Sequence, residues 1–183
     1  MNTSPSTRTP RRARHAAGAA LALALAGAGL GLGAPPAAAD TVTVGYTCTG
    51  PGAPGDVQTL ALTVNAPASI PQGATAQLTL SASTNLSVPI DVPARAVTAE
   101  LDLALGGAAS GTATATGFTN DQAVPSGSGV TLTGGTASVQ LDAAGTVTFT
   151  PGTARIHVFG VTVECAVDGT APVAASTEVT AAG

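Results

Sequence analysis

Apolar residues recur at every second position in several short segments of this chain, and no other feature of the sequence restricts its fold as strongly. Across Thr41 to Cys48, apolar side chains alternate with small or polar ones. The segment Val161 to Val167 repeats the pattern near the other end of the chain. Because successive side chains of a β-strand point to opposite faces, a period of two indicates half-buried strands. We therefore predict an all-β protein.

Further strand patterns fill the sequence between these two segments. They cover residues 57–64, 74–81, 86–92, 110–118, 130–133, 136–141, 146–150 and 154–159. Turns are predicted at Gly134-Gly135 and Pro151-Gly152, because Gly and Pro favour turn geometries, and Phe159-Gly160 fits a two-residue hairpin. Short strands at this spacing predict an immunoglobulin-like two-sheet β-sandwich, with a β-barrel as the alternative.

The segment from Pro93 to Leu105 fits two secondary structures. Pro93 suits the first turn of a helix, and Val97, Leu101 and Leu105 are spaced by four residues. The same segment also alternates at Leu101, Leu103 and Leu105, as a strand would. We predict one short helix near 93–105 and keep a strand from Val97 to Leu105 as the alternative.

Two cysteines, Cys48 and Cys165, lie in the outermost of the strands predicted by alternation. An isolated pair in an oxidising compartment favours a disulfide, and neither a Cys-x-x-Cys spacing nor further metal ligands accompany it. Closing so long a loop contributes roughly 4–5 kcal/mol in the loop-entropy treatment. We predict a structural disulfide between Cys48 and Cys165.

The first forty residues have the three parts of a secretory signal. A start containing four arginines is followed by an uncharged run from Ala16 to Leu32, a Pro35-Pro36 break and three alanines before Asp40. We predict a cleaved signal peptide over 1–39, a β-sandwich domain over 40–168 and a flexible C-terminal tail over 169–183. The mature protein would be extracellular or loosely associated with the cell envelope, with no membrane span. General secretory and twin-arginine export both remain open.

The predicted mature chain is strongly acidic. All ten acidic residues of the sequence follow position 39, but only Arg95 and Arg155 of the six basic residues do, which gives 2 − 10 = −8. Such a charge repels phosphate groups, so we expect no nucleic-acid partner.

Few residues are candidates for chemistry. His157 is the only histidine after position 39, and no nucleophile-elbow pattern accompanies it. Glu100 and Asp102 are the closest carboxylate pair, but the aromatic platforms of a sugar site are missing. Asn120 and Asp121 could offer oxygens to Ca²⁺ without the acid-rich pattern of known loops. We therefore predict no catalytic, cofactor-binding or metal site.

The predicted hairpin at Phe159-Gly160 also fixes a pairing of charges. Residues that flank such a turn symmetrically face each other, which places Arg155 opposite Glu164. An exposed ion pair of this kind contributes less than about 1 kcal/mol.

Several short motifs resemble those of a known group of proteins. They are Tyr46-Thr47-Cys48-Thr49, Ala66-Pro67-Ala68-Ser69-Ile70, Ser110-Gly111-Thr112-Ala113, Gly145-Thr146-Val147-Thr148-Phe149 and the late Cys165. Together they are similar to an uncharacterised family of secreted actinobacterial domains. The resemblance implies an exported β-sandwich, and it brings neither an activity nor a functional residue.

These observations favour a non-enzymatic extracellular or envelope-associated module that binds an unidentified protein or wall polymer. A carrier of a small apolar ligand is the alternative, with space between the sheets or under the 93–105 segment, beside the small residues Ala109, Gly111, Ala113 and Ala115. A secreted hydrolase is the third hypothesis. Fold class alone does not decide among them.

Overall fold

The computed structural model describes residues 38–182, which form ten β-strands. They are β1 (Ala38–Thr49), β2 (Gln58–Ala66), β3 (Ser69–Pro71), β4 (Ala74–Thr84), β5 (Val97–Gly107), β6 (Gly111–Thr119), β7 (Thr131–Leu141), β8 (Gly145–Val158), β9 (Val161–Val167) and β10 (Ala175–Thr180). This range contains no α-helix, and hence none long and apolar enough to cross a membrane.

All ten strands belong to one mixed sheet whose hydrogen bonds close into a ring. The order is β3-β10-β8-β5-β6-β7-β4-β2-β1-β9, and an additional pairing joins β9 to β8. β10 pairs with the start of β8 and carries β3 as its parallel neighbour. The predicted all-β class is therefore confirmed, and the architecture is one mixed sheet with ring-like pairing.

The inward faces of the strands form one apolar core. Its largest fully buried side chains are Tyr46, Phe118, Phe149, Leu62, Leu78, Leu103 and Leu141. The alternation predicted for β1, β2, β4 and β9 is confirmed, because their burial follows the same period of two. In this core the Tyr46 hydroxyl donates a hydrogen bond to the Gly152 carbonyl at 3.0 Å, and burial raises the pKa of Tyr46 to about 12.

The disulfide joins Cys48 of β1 to Cys165 of β9. These residues lie directly opposite each other in the antiparallel pairing, with their Cα atoms 4.0 Å apart. Cys165 is fully buried, while Cys48 is half-buried. The bridge therefore lies across the pair of strands through which β9 completes the ring.

The prediction of a helix near 93–105 is wrong, since this segment contributes β5. The side chains of Val97, Ala99, Leu101 and Leu103 are all buried on one face. β5 pairs with β6 on one side and with β8 on the other. Both neighbours offer hydrogen bonds along most of the segment, and a strand between them buries every second residue, whereas a helix would bury a narrower stripe.

Two predicted turns are also wrong, because both lie inside long strands. Gly134-Gly135 is part of β7, where a β-carbon on Gly135 would overlap the ring of Phe118. Pro151-Gly152 is part of β8 at a register shift against β5. Glycine and proline are tolerated inside strands where a bulge or a close neighbour needs them.

A bulge explains why Phe118 and Ala115 are both buried, although strict alternation along β6 would place them on opposite faces. Leu101 pairs with Ala115 while Ala99 pairs with Phe118, so β6 has one extra residue in this stretch. Gly117 accommodates the bulge with a φ of 86°. The extra residue reverses the facing of the chain after it and turns Phe118 into the core.

The segment from Leu86 to Val92 forms no strand, contrary to prediction. Its one ladder contact is an isolated bridge between Val92 and Val124. Pro89 has no amide proton to donate, which limits any pairing of this run.

The C-terminal segment was predicted to be a flexible tail over 169–183, and for Ala175–Thr180 this is wrong. These residues form β10, in which Ala175, Thr177 and Val179 are buried. β10 pairs with β8 and with the three-residue strand β3. The apolar residues of β10 are small, so β10 forms because β8 and β3 offer it hydrogen bonds.

The predicted signal peptide lies almost entirely outside the described residues. β1 begins at Ala38, which pairs with Ala66 of β2. Cleavage after Ala39 stays a prediction.

Candidate functional site

His157 lies on β8, half-buried, beside the neighbouring strand β9. Its Nδ1 atom is 2.9 Å from the hydroxyl oxygen of Thr162. No group of three or more His, Cys, Asp or Glu residues that could hold a metal ion occurs in the described part of the chain. His157 is therefore positioned as a cross-strand hydrogen-bonding residue.

Glu100 and Asp102 lie on the outward face of β5 and do not face each other across a cleft. Asp102 accepts a hydrogen bond from the Thr114 hydroxyl at 2.7 Å and forms an ion pair with Arg155 at 3.3 Å. Retaining and inverting glycosidases need two carboxyl groups on opposite sides of a bound sugar. The positions of Glu100 and Asp102 on one strand do not provide this arrangement.

The hairpin prediction placed Arg155 opposite Glu164, and the register is confirmed. Arg155 pairs with Glu164, and Val158 with Val161, around the Phe159-Gly160 turn. The ion pair, however, joins Arg155 to Asp102 of the strand on the other side. Arg155 thus links the outer faces of β5 and β8, and a partly exposed ion pair of this kind contributes only modestly to the free energy of unfolding.

Asn120 is almost completely buried, and its side chain joins three backbone segments by hydrogen bonds. Its Nδ2 atom donates to the carbonyls of Pro93 at 2.7 Å and Gln122 at 2.9 Å, and its Oδ1 atom accepts from the Val97 amide at 2.8 Å. Its neighbour Asp121 accepts a hydrogen bond from Thr133. The side-chain oxygen that Asn120 could have offered to Ca²⁺ therefore already accepts a hydrogen bond from Val97, the first residue of β5.

A cleft lined by apolar side chains opens at one end of the ring, and we call it the end cleft. It lies between the β1–β2 loop, residues 86–92 and the β8–β9 hairpin, and has a volume of about 380 Å³. The disulfide-bonded residues Cys48 and Cys165 form part of its wall. The volume falls within the range of roughly 300–1,000 Å³ that is typical of small-molecule sites.

The end cleft exists because the core is not filled at this end. Along β2, Leu62 is buried but Leu60, two residues nearer the end, is only half-buried. On β9, Val163 is buried and Val161 is 36% exposed. The inward face continues to the strand ends, but no side chains from the connecting loops cover it completely.

Four large apolar side chains that line the cleft are exposed. Leu86 is 40%, Ile90 55% and Phe159 58% exposed, and Val161 is the fourth. Scattered exposed apolar residues are common on proteins, whereas a cluster around one concave site is a feature of binding surfaces.

Phe159 has an unusual backbone conformation for its residue type. Its φ is 49° and that of Gly160 is 80°, so both central residues of the hairpin turn are left-handed. Two-residue turns of this kind favour Asn, Asp or Gly, because a bulky side chain at positive φ is strained. The turn therefore holds an exposed phenyl ring at the rim in spite of local preferences.

None of the sequence-predicted candidate residues for chemistry lines the end cleft, and sequence reasoning did not find the cleft. His157, Glu100, Asp102, Asn120 and Asp121 all lie elsewhere. Two signals were present in the sequence: an apolar run at 86–92 that makes a poor strand, and a phenylalanine where the predicted turn favours Asn or Gly.

No family model, no curated protein and no solved structure matches this chain.

Proposed function

We propose that this chain is an exported, non-enzymatic module and that it binds a partner protein through the end cleft. The conformation of Phe159 is the observation that carries this proposal. A phenyl ring that is 58% exposed at a left-handed position adds backbone strain and solvated apolar surface. Neither helps the chain fold, and strain of this kind is concentrated at functional sites.

The rim favours an apolar partner surface over a wall polymer. Leu86 and Ile90 face solvent beside Phe159, and no lining residue is charged. A wall polymer is rich in hydroxyl and charged groups, which would lose water without gaining partners on such a surface. Apolar side chains of a protein would instead bury these exposed groups and gain from the burial.

Export is supported by the Cys48–Cys165 disulfide, since disulfides persist in oxidising compartments and are rare in the cytosol. The proposal includes the cleaved signal peptide over 1–39 and the resemblance to secreted actinobacterial domains. It also includes the finer architecture, an immunoglobulin-like sandwich whose two sheets are joined at their edges by the ring-like pairing.

The test uses the full chain, exported with its own leader, purified and mixed with the envelope fraction of the producing cells. Wild-type protein should sediment saturably with this fraction, and protease treatment of the fraction should abolish the effect. Phe159→Asn should sediment far less, although its turn is no less stable than the wild-type turn, because Asn tolerates a positive φ.

Val173→Ser is the matched control, since Val173 is 51% exposed but does not line the cleft. It should bind like the wild type. Equal sedimentation of wild type and Phe159→Asn would exclude the end cleft as the binding surface. Sedimentation that survives protease but is lost on muramidase treatment would identify a wall polymer instead.

A carrier of a small apolar ligand is the second candidate, and the volume of the cleft favours it. A cleft of about 380 Å³ lined by apolar walls is large enough for a small molecule. The space lies at the end of the ring, and Val97 is the part of the 93–105 segment that lines it. Native mass spectrometry of the exported protein should then show a retained ligand that Phe159→Asn loses. The hydrolase hypothesis gains no geometric support, because the candidate catalytic residues lie outside the cleft.

A further inference from the structure

The walls of the end cleft offer almost no groups that could compensate a charged ligand. Four of the lining residues have polar side chains, namely Gln58, Ser83, Thr84 and Ser87, and none is ionisable. The Thr84 hydroxyl already accepts a hydrogen bond from the Leu86 amide at 3.1 Å. The Gln58 amide already donates to the Asp56 carbonyl at 2.8 Å. The hydroxyls of Ser83 and Ser87 remain, and these neutral groups can pair with a hydroxyl or carbonyl group but cannot balance a charge.

The charges nearest the cleft in sequence are mainly negative. Asp56 precedes Gln58 by two residues, and Asp91 lies between the lining residues Ile90 and Val92. Both aspartates are exposed. Glu164 lies between the lining residues Val163 and Cys165. Of the two cations, Arg95 lies two residues before Val97, and Arg155 directly precedes Ile156 but is paired with Asp102 on the outer face of the sheet. The surroundings therefore have a net negative charge.

These two features act together against an anionic ligand. A carboxylate that enters an apolar cleft loses its hydration without gaining a partner, which is strongly unfavourable unless the group becomes neutral. Outside the cleft, Asp56 and Asp91 repel the same group over a distance of about one Debye length. An uncharged ligand with the same chain meets neither cost.

We propose that the end cleft selects uncharged apolar ligands and rejects the carboxylate of the same chain length. This selectivity rests on the second candidate function, the carrier, and names its ligand class: a neutral aliphatic chain whose polar end, at the mouth, is a hydroxyl or carbonyl group. The chain lies against Leu60, Val158 and Phe159, whose half-buried or exposed surfaces it covers.

The test is a competition assay with the exported full chain. N-phenyl-1-naphthylamine, an uncharged probe whose fluorescence rises in apolar surroundings, is bound first and then displaced by decan-1-ol or by decanoate. Decan-1-ol should displace the probe at a concentration at least about tenfold lower than decanoate. Equal or stronger displacement by decanoate would overturn the proposal.

A rim variant separates selection by charge from the greater water solubility of decanoate. Ile90→Lys places a cation at the rim, where Ile90 is 55% exposed and lines the cleft. It should lower the decanoate concentration needed for displacement by about tenfold relative to decan-1-ol. Ile90→Ser is the matched control, because it removes the same apolar surface without adding charge, and it should leave the ratio unchanged. An unchanged ratio in Ile90→Lys would contradict selection by charge.

A second variant removes a cation instead of adding one, at Arg95. Arg95→Gln should leave decanoate displacement unchanged if the arginine plays no part at the mouth. A loss of decanoate displacement in this variant would show that Arg95 recruits anions and would overturn the proposal. A probe that does not bind the wild type at all, with native mass spectra free of ligand, would instead remove the carrier function itself.

Discussion

Tyr46 shows how a single residue connects the core of this protein to its pH dependence. Its ring is fully buried, and its hydroxyl reaches across to the Gly152 carbonyl. Burial raises its pKa from 10.0 to about 12, because the phenolate would be charged inside an apolar core. The sequence has one tyrosine and no lysine, and both cysteines are in the disulfide. Tyr46 is therefore the one core group that titrates in this alkaline range.

The free energy of unfolding should depend on pH through Tyr46 in a defined window. Since the folded pKa is higher than the unfolded one, the stabilisation is complete below about pH 10 and is lost as pH rises towards about 12. Tyr46→Phe should abolish this alkaline decline. At neutral pH the variant should lose about 1–2 kcal/mol, because the Gly152 carbonyl loses its hydrogen bond. Urea unfolding followed by circular dichroism at several pH values measures both effects.

If Tyr46→Phe and the wild type decline equally between pH 10 and 12, Tyr46 is not the group responsible. Reading both proteins at neutral pH in the same series separates the loss of the hydrogen bond from the loss of the titration.

At the scale of elements, glycine positions decide where two strands can approach each other. In β7, Gly135 leaves the space that the ring of Phe118 occupies from the neighbouring β6. Gly117 of β6 has a φ of 86° and lies against Gly134 of β7. The β6–β7 contact therefore depends on residues that a local interpretation assigned to a turn.

Gly135→Ala should destabilise the protein by about 1–3 kcal/mol, because the added methyl group overpacks a rigid core site. Combining it with Phe118→Leu should cost less than the sum of the two single changes, since the smaller side chain makes room. Gly55→Ala is the control: a β-carbon there meets no atom within 4 Å, and its effect should be neutral or slightly stabilising. Strict additivity of Gly135→Ala and Phe118→Leu would contradict the packing explanation.

β10 lies in the segment that was predicted to be a C-terminal tail, and its burial contradicts that prediction. Val179 is 1% exposed, and Ala174 and Ala175 are buried beside it. β10 also covers the start of β8, where Val147 and Phe149 are fully buried.

Truncation after Asp168 should therefore lower the free energy of unfolding by at least about 3 kcal/mol, because it removes the burial of Val179 and uncovers Phe149. Truncation after Thr180 should have little effect, since Ala181 and Ala182 are exposed. Thermal and urea denaturation of the two truncated proteins give the comparison. A fully stable protein without residues 169–183 would restore the interpretation of this segment as a tail.

At the scale of the whole molecule, β9 closes the ring by pairing with β1 on one side and β8 on the other. The Cys48–Cys165 disulfide crosses the first of these pairings and joins residues 117 positions apart. A covalent link over this distance restricts the unfolded chain far more than the folded one. It also holds one wall of the end cleft.

The double substitution Cys48→Ala and Cys165→Ala should lower the free energy of unfolding by about 4–5 kcal/mol, as expected for a loop of this length. Urea unfolding of the oxidised wild type, the reduced wild type and the double variant measures it. The reduced wild type should unfold at the midpoint of the double variant. A double variant as stable as the oxidised protein would show that the strand pairing alone closes the ring.

The sequence determined those features that follow from the geometry of one strand or one turn. Alternation placed β1, β2, β4 and β9, because the pleat of a strand has a fixed period of two. The turn at Phe159-Gly160 set the register of β8 and β9, since a two-residue hairpin leaves no freedom in the pairing. The all-β class follows from the same alternation, whereas the disulfide was predicted because Cys48 and Cys165 are the only cysteines of a chain with an export signal.

Tertiary structure decided what depends on partners distant in the chain. The helix expected near 93–105 became β5 because β6 and β8 both pair with it, and local propensity cannot anticipate such neighbours. β10 formed because β8 and β3 offer hydrogen bonds to a segment of small residues. The end cleft arose because inward-facing side chains at one end of the ring lack a cover. Sequence patterns specify which face of a strand is apolar, whereas only the assembled strands determine what that face meets.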